Sequence, residues 1–320
     1  MLKVVVTVDV ENPQTDFREG RVSANLVDPL VDNDHHGVSK ITEILDKNCI
    51  KGVFFITTSE KHIFGENFYR SLCQDLCAQG HEVAIHSHPE WVTNDGRVHM
   101  WQFSYTEQLS MLREMEEDIT NWVGKSPVSH RAGAYGVNDD TFAALDELGI
   151  KVDSSIFAEH ENCKVQLCFN HPINIRSITE VPVTGFYKIL RLSIGPMKLH
   201  LRRTFVKTDI EACSLEELKW FVDYALRNNL EVLNLFMHSY SLLNLKNLPE
   251  ISKNENDEKL ESFFSFLNAR ESVSFSTLEE LADSFSERSD LTQPETVPTF
   301  FANISIFEFL VIIKRKLGID

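Results

Sequence analysis

Residues Gly80 to Trp91 read GHEVAIHSHPEW, and this stretch decides the fold. Val83, Ala84 and Ile85 form an apolar run without polar alternation, the pattern of a strand covered on both faces of a parallel sheet. Such strands end at the carboxyl edge of the sheet, where α/β proteins carry their chemistry. His86 and His88 are two positions apart, so on an extended backbone their side chains share a face. Pro89 lacks a backbone donor and ends the strand. Two imidazoles at one strand end, with the carboxylate of Glu90 two residues on, suit a divalent transition metal. The duller reading of the same residues is a surface loop that happens to hold histidines.

Working outward, Leu2 to Val10 is a β-branched run and predicts a central first strand ending in Asp9 and Glu11. Asn12 to Asp34 is polar and irregular, a long loop expected over the site. Val38, Ile41, Leu45 and Cys49 recur at helical spacing, and GVFFIT (Gly52 to Thr57) predicts the second strand. Phe68, Leu72 and Leu76 mark the next helix, with Gly80 as its C-cap. A long amphipathic helix through Leu109, Leu112, Ile119 and Trp122 stops at Gly124 and Pro127. Asn138 caps a further helix, and Ile150 to Asp153 is a short strand. Ser214 with Glu217 forms a capping box. EVLNLFM (Glu231 to Met237) is another buried strand with His238 at its end, and a short strand at Val273 to Phe275 precedes a last helix opened by Thr277. Strand and helix alternate, the order of a (β/α) barrel or a doubly wound sheet. His160 to Thr208 is less regular and reads as strands and loops decorating one end.

The totals set limits. At 320 residues with 42% hydrophobic content, the chain can bury a full core in one large or two smaller domains. A formal charge of −17 argues against a nucleic-acid partner. The six cysteines show no CxxC spacing and read as buried free thiols of a reducing compartment. MLKVVVTVDVE is already strand-like, without a charged segment leading into a long apolar run, and no apolar stretch approaches the ~20 residues of a membrane span. A cytoplasmic protein is expected. The tail divides from the rest, giving a body over residues 1–285 and a linker with a C-terminal helix over 286–320. In that helix Phe300, Ile304, Phe307 and Val311 form a stripe followed by Lys314, Arg315 and Lys316. It would pack on the barrel or on a second subunit as a homo-oligomer, or lie on an anionic membrane surface. The residues leave these open.

Four strand ends thus carry polar groups: Asp9 with Glu11, His86 to Glu90, Arg131 with Asp153 nearby, and His238. In a parallel barrel these ends meet at one mouth. The pieces TVDVE, GHEVAIHSHPEW, HRAGAYG (His130 to Gly136), VDSS (Val152 to Ser155) and LFMH (Leu235 to His238) occur together in this order. The set resembles the polysaccharide deacetylase (NodB-homology, carbohydrate esterase 4) family over about residues 1–285. The HSHPEW form is most similar to members associated with bacterial surface polysaccharides, including lipopolysaccharide O-antigen.

The resemblance implies a distorted (β/α) barrel that hydrolyses N-acyl groups on amino sugars with a zinc-like divalent metal. It implies Asp9 as general base and Glu11 as a metal ligand, in place of the aspartate usual at Val10. His86 matches the first metal histidine. The second usually lies at the position of Glu90, so either His88 or Glu90 completes the ligand set. Arg131 matches the arginine that orients the base, although the proline that follows it in the family is replaced within RAGAY by Gly133. A backbone donor for the oxyanion is expected from the Ala134–Tyr135 turn. His238 matches the general acid, with Asp153 as its orienting partner. The expected function is metal-dependent removal of an N-acyl group, acetyl first, from an amino sugar in surface-polysaccharide biosynthesis. The alternatives are hydrolysis of another linear C–N amide bond, formamido or ureido, and a non-catalytic carbohydrate-binding relative.

Overall fold

The computed structural model describes the chain except for residues 22, 94, 166–169, 195–196, 283, 286–296 and 306–320. In chain order its strands are β1 (Leu2–Val10), β2 (Leu30–Val31), β3 (Asp34–His35), β4 (Val53–Ile56), β5 (Glu82–Ser87), β6 (Ser129–Ala132), β7 (Val152–Asp153) and β8 (Ile173–Ile175). They continue with β9 (Ile178–Glu180), β10 (Gly185–Ile194), β11 (Met197–Lys207), β12 (Val232–His238), β13 (Leu243–Asn247), β14 (Glu250–Lys253), β15 (Val273–Phe275) and β16 (Thr299–Ile304).

Nine of these strands make one curled sheet in the order β12-β1-β4-β5-β6-β7-β9-β8, with β15 also pairing β1. All pairings are parallel except β8 with β9. The gap between β9 and β12 is spanned by chain rather than by a strand. Thr208 N donates to Thr184 O (2.8 Å) and Phe236 N donates to Thr208 O (2.9 Å). The expected distorted barrel is what forms.

Helices Val38–Lys47, Glu66–Ala78, Tyr105–Val123, Asp139–Glu147, Leu215–Arg227 and Asn256–Asn268 connect the strands. The expected caps are present: the Asn138 side chain accepts from Thr141 N, Ser214 from Glu217 N and Thr277 from Glu280 N. Each such cap contributes about 1 kcal/mol. Gly124 takes φ 77°, the left-handed conformation that ends the helix Tyr105–Val123 without a Cβ penalty.

Alternation along β1 explains how the site is placed. Val4, Val6, Val8 and Val10 share one core with the helices, while Val5 joins Val53, Phe55, Ala84 and Val152 in a second cluster. Leu278 and Leu281 of the last helix belong to that second cluster too, and close the amino end of the barrel. Continuing up the same face from Val5 come Thr7, Asp9 and Glu11. The interior therefore turns from apolar to polar toward the carboxyl ends. Register then aligns those ends: Asp9 stands opposite His238, His86 opposite Arg131, and His130 opposite Asp153.

Two expectations are corrected. Thr299–Ile304, placed in a C-terminal helix, is strand β16 and pairs in parallel with β10. Phe300 and Ile304 suit a strand as well as a helix, because Ala302 between them lies on the same strand face, and the edge of β10 supplied a partner. The rest of that helix and residues 286–296 of the linker lie outside the described residues. Of the five free cysteines described, Cys49 and Cys77 are exposed rather than buried. The expected irregular region contains the β8–β9 hairpin and the long antiparallel hairpin β10–β11.

Candidate active site and metal centre

Three donor atoms converge where β1 and β5 end. Glu11 Oε2 lies 3.1 Å from His86 Nε2 and 2.6 Å from His88 Nε2, and the two nitrogens are 3.2 Å apart. All three residues are buried. The outer nitrogens are fixed: His86 Nδ1 bonds Arg131 O (2.9 Å) and His88 Nδ1 bonds Glu90 Oε1 (3.0 Å). A metal-binding imidazole is usually held this way, with the far nitrogen on a carbonyl or carboxylate. The donor set, two imidazoles and a carboxylate on the wall of an open pocket, fits a divalent ion with a position to spare. Burial alone would raise the Glu11 pKa, but the adjacent His88 charge and the hydrogen bonds from both imidazoles hold it well below the usual carboxylate range.

The structure divides the open pair His88 and Glu90. His88 joins the cluster, whereas Glu90 stands behind it as the carboxylate that orients the ring. Gly133 explains how a histidine at position 88 fits: a Cβ on Gly133 would overlap the His88 ring. The ring at position 88 and the missing side chain at position 133 are therefore sterically linked.

Asp9 sits beside this cluster, its Oδ2 3.5 Å from His86 Nε2. Arg131 Nη1 donates to Asp9 Oδ1 (2.7 Å) and to Thr7 Oγ1 (3.1 Å), while its Nε donates to Ser154 O (2.9 Å). Arg131 is fully buried, with its guanidinium 4.3 Å from the Phe55 ring centroid. Burial pushes the Asp9 carboxyl up, but Arg131, His86 and His238 outweigh that and leave it lowered. The arginine thus holds Asp9 ionised and oriented, as expected of this pair.

His238 is at the pocket, but Asp153 is not its partner. His238 Nδ1 bonds Glu211 Oε1 (2.9 Å), and its ring stacks on Tyr240 at 4.7 Å and 7°. Its Nε2 lies on the pocket side, 3.8 Å from Glu11 Oε1. Asp153 instead accepts from Ser155 N and Oγ and meets His130 Nδ1 at 2.6 Å, while His130 Nε2 bonds Ser87 Oγ at 2.8 Å. The cause is register, since β6 and β7 pair His130 directly with Asp153. Ser87, His130 and Asp153 form a serine–histidine–aspartate chain, yet all three are fully buried and no reactant reaches them.

The pocket holds about 440 Å³ and takes in Asp9, Glu11, His86, His88, His238 and the Ala134–Tyr135 turn. Ala134 and Tyr135 both take left-handed φ (47° and 61°), a conformation that costs non-glycine residues energy and clusters at functional sites. Sequence reading missed four residues here. Glu211 and Tyr240 have no motif to mark them, and only proximity to His238 singles them out. Lys207 ends β11 on the pocket wall, with Nζ 3.0 Å from Tyr135 Oη and 3.1 Å from Asp209 Oδ2. Glu60 is buried beneath the loop over the site, accepting from Asn12 N (2.8 Å) and Nδ2 (2.6 Å), and it anchors the chain where it leaves Glu11.

Residues 29–152 match the family model described as polysaccharide deacetylase, a span that includes His86, His88 and Arg131. Among solved structures, a polysaccharide deacetylase from Mycobacterium smegmatis is similar at 19% identity and a TM-score of 0.61, covering 92% of this chain and 95% of that one. The allantoinase Puue is similar at 13% identity and a TM-score of 0.57, covering 92% of each chain. At such identities the likeness establishes the fold. No curated protein sequence matches the chain. The family resemblance read from the sequence is borne out.

Proposed function

We propose that this chain, similar over residues 29–152 to the polysaccharide deacetylases, is a metal-dependent hydrolase. Its reaction is removal of an N-acetyl group from an amino sugar, in the cytoplasm, during surface-polysaccharide biosynthesis. The observation that carries this reading is the meeting of Glu11, His86 and His88 donor atoms beside Asp9 in one pocket. The pocket volume of about 440 Å³ suits a small ligand such as a sugar unit.

Amides are poor electrophiles and neutral water is a poor nucleophile. When bound by Glu11, His86 and His88, a divalent ion such as zinc supplies Lewis acidity that polarises the carbonyl and acidifies water. Asp9, held ionised by Arg131, takes the proton as water oxygen bonds to the carbonyl carbon; such a base typically contributes ~10²–10⁴ in rate. The Ala134–Tyr135 turn lines the pocket, and its backbone N–H is the donor this reading assigns to the developing oxyanion. His238, with Nδ1 fixed by Glu211, protonates the leaving nitrogen through Nε2 as the C–N bond breaks. Acetate and a free amine result.

The test uses purified full-length chain, its metal content and acetate release from a panel of N-acetylated amino sugars and sugar nucleotides. His86→Ala is expected to lose the metal. Asp9→Asn keeps the metal and loses roughly 10²–10⁴ in turnover. Normal activity in Asp9→Asn would refute the assignment of the base. Formate or ammonia release with no acetate would move the substrate to a formamido or ureido compound. A chain that takes up no zinc, cobalt or nickel would be a carbohydrate-binding relative instead.

A further inference from the structure

The sequence carries a net charge of −17, yet from Gly185 to Lys207 it has six cations and no Asp or Glu. These residues are the β10–β11 hairpin. At its base Lys188 pairs with Glu217 (2.5 Å) and Lys207 with Asp209 (3.1 Å). Farther out, Lys198, Arg202 and Arg203 are exposed, and no carboxylate among the described residues forms an ion pair with them.

The same region exposes apolar side chains. Of the eight large apolar side chains exposed among the described residues, Ile194 (42%), Met197 (59%), Leu199 (51%) and Phe301 (39%) lie on β10, β11 and β16. Ile194 stands opposite Met197 and Leu192 opposite Leu199, so these four share one face of the hairpin. Strand β16 brings Ile304 beside Leu192. The sequence beyond contains FLVII (Phe309 to Ile313) followed by Lys314, Arg315 and Lys316.

We propose that the distal half of this hairpin docks on an anionic lipid bilayer. Ile194, Met197 and Leu199 enter the headgroup region tip-first, and the cations flank them, Arg202 on their own face of the hairpin and Lys198 and Arg203 on the other. Exposed apolar side chains flanked by cations without carboxylate partners are what an interfacial element needs. A second copy of the chain fits less well. Strand β11 lies at the edge of its sheet and carries Lys198, Arg202 and Arg203 with no acidic residue, so a two-fold pairing through it would bring like charges together. Nine residue steps from the pocket-wall Lys207 correspond to about 30 Å, which leaves the mouth clear of the surface.

The experiment is co-sedimentation of the full-length chain with vesicles of phosphatidylcholine alone and of phosphatidylcholine with roughly a third phosphatidylglycerol. Binding is expected on the anionic vesicles, weakened by salt and absent on the neutral ones. The double variant Lys198→Glu/Arg202→Glu is expected to lose about 25-fold or more in affinity, at about fivefold per cation. Ile194→Glu/Met197→Glu is expected to lose it as well, with thermal unfolding and metal content unchanged. The proposal is overturned by a full-length chain that ignores anionic vesicles, or by charge-reversed protein that binds them as before. It is equally overturned if sedimentation velocity shows a dimer that Ile194→Glu/Met197→Glu abolishes, which would make this face a contact between copies.

Discussion

Two layers of the barrel use the same chemical pair, imidazole on carboxylate, to different ends. In the lower layer His130 meets Asp153 at 2.6 Å, both side chains fully buried, with Ser87 on the other ring nitrogen. In the upper layer His88 meets Glu90 at 3.0 Å and His238 meets Glu211 at 2.9 Å, and in each case the second nitrogen turns to the pocket. The chemistry of the pair does not distinguish structure from catalysis. What does is where the second ring nitrogen points. A histidine whose second nitrogen meets a buried serine braces strands, whereas one whose second nitrogen reaches the pocket can offer it to a metal or a substrate.

The contrast is sharpest for Asp153→Asn. Breaking a fully buried pair from one side costs about 3–5 kcal/mol, so denaturant midpoints are expected to fall steeply while the folded protein keeps its kcat. Wild-type stability with lost turnover would return Asp153 to the catalytic machinery. A smaller effect is expected from Gly133→Ala, which pushes on the His88 ring. Metal affinity, read by competition with a chelator, falls about 10–100-fold, the scale of disturbed support around a ligand. Unchanged affinity would show that the His88 ring does not need the space Gly133 leaves.

The mildest case is Glu211→Gln. The Glu211 carboxyl is lowered from 4.5 to about 2; burial opposes this, and the His238 hydrogen bond and charge overcome it. A lowered carboxyl stabilises the folded state above its unfolded pKa, and the contribution is lost as pH falls from about 4.5 toward 2. Glu211 is 38% exposed, so the pair is worth under about 1 kcal/mol after solvent screening. The variant is therefore expected to flatten the acid limb of the stability profile slightly. Its turnover falls roughly tenfold as the His238 ring loses its fixed tautomer. A stability loss as large as that of Asp153→Asn would erase the distinction between the layers.

Much of this arrangement was legible before any coordinates. The strand ends at Asp9, His86 and His238 follow from apolar runs that stop at polar residues, Arg131 was marked by the HRAGAYG motif rather than by such a run, and alternation put Asp9 with Glu11 and His86 with His88 on shared faces. The choice between His88 and Glu90 was not legible, because it turned on the empty space at Gly133, contributed by the turn that follows β6. Glu211 was missed for a similar reason. It lies 27 residues from His238 with no pattern joining them, and the chain that closes the barrel gap brings it there.

The sequence by itself determined the central barrel strands β1, β4, β5 and β12, which of their side chains face the interior and which of their ends carry polar groups, because these depend on local periodicity and propensity. Only the tertiary structure decided which carboxylate serves which histidine, and that Thr299–Ile304 joins β10 as a strand. Those outcomes depend on register and on available edges. They are set by contacts between residues far apart in the chain, and no local pattern encodes them.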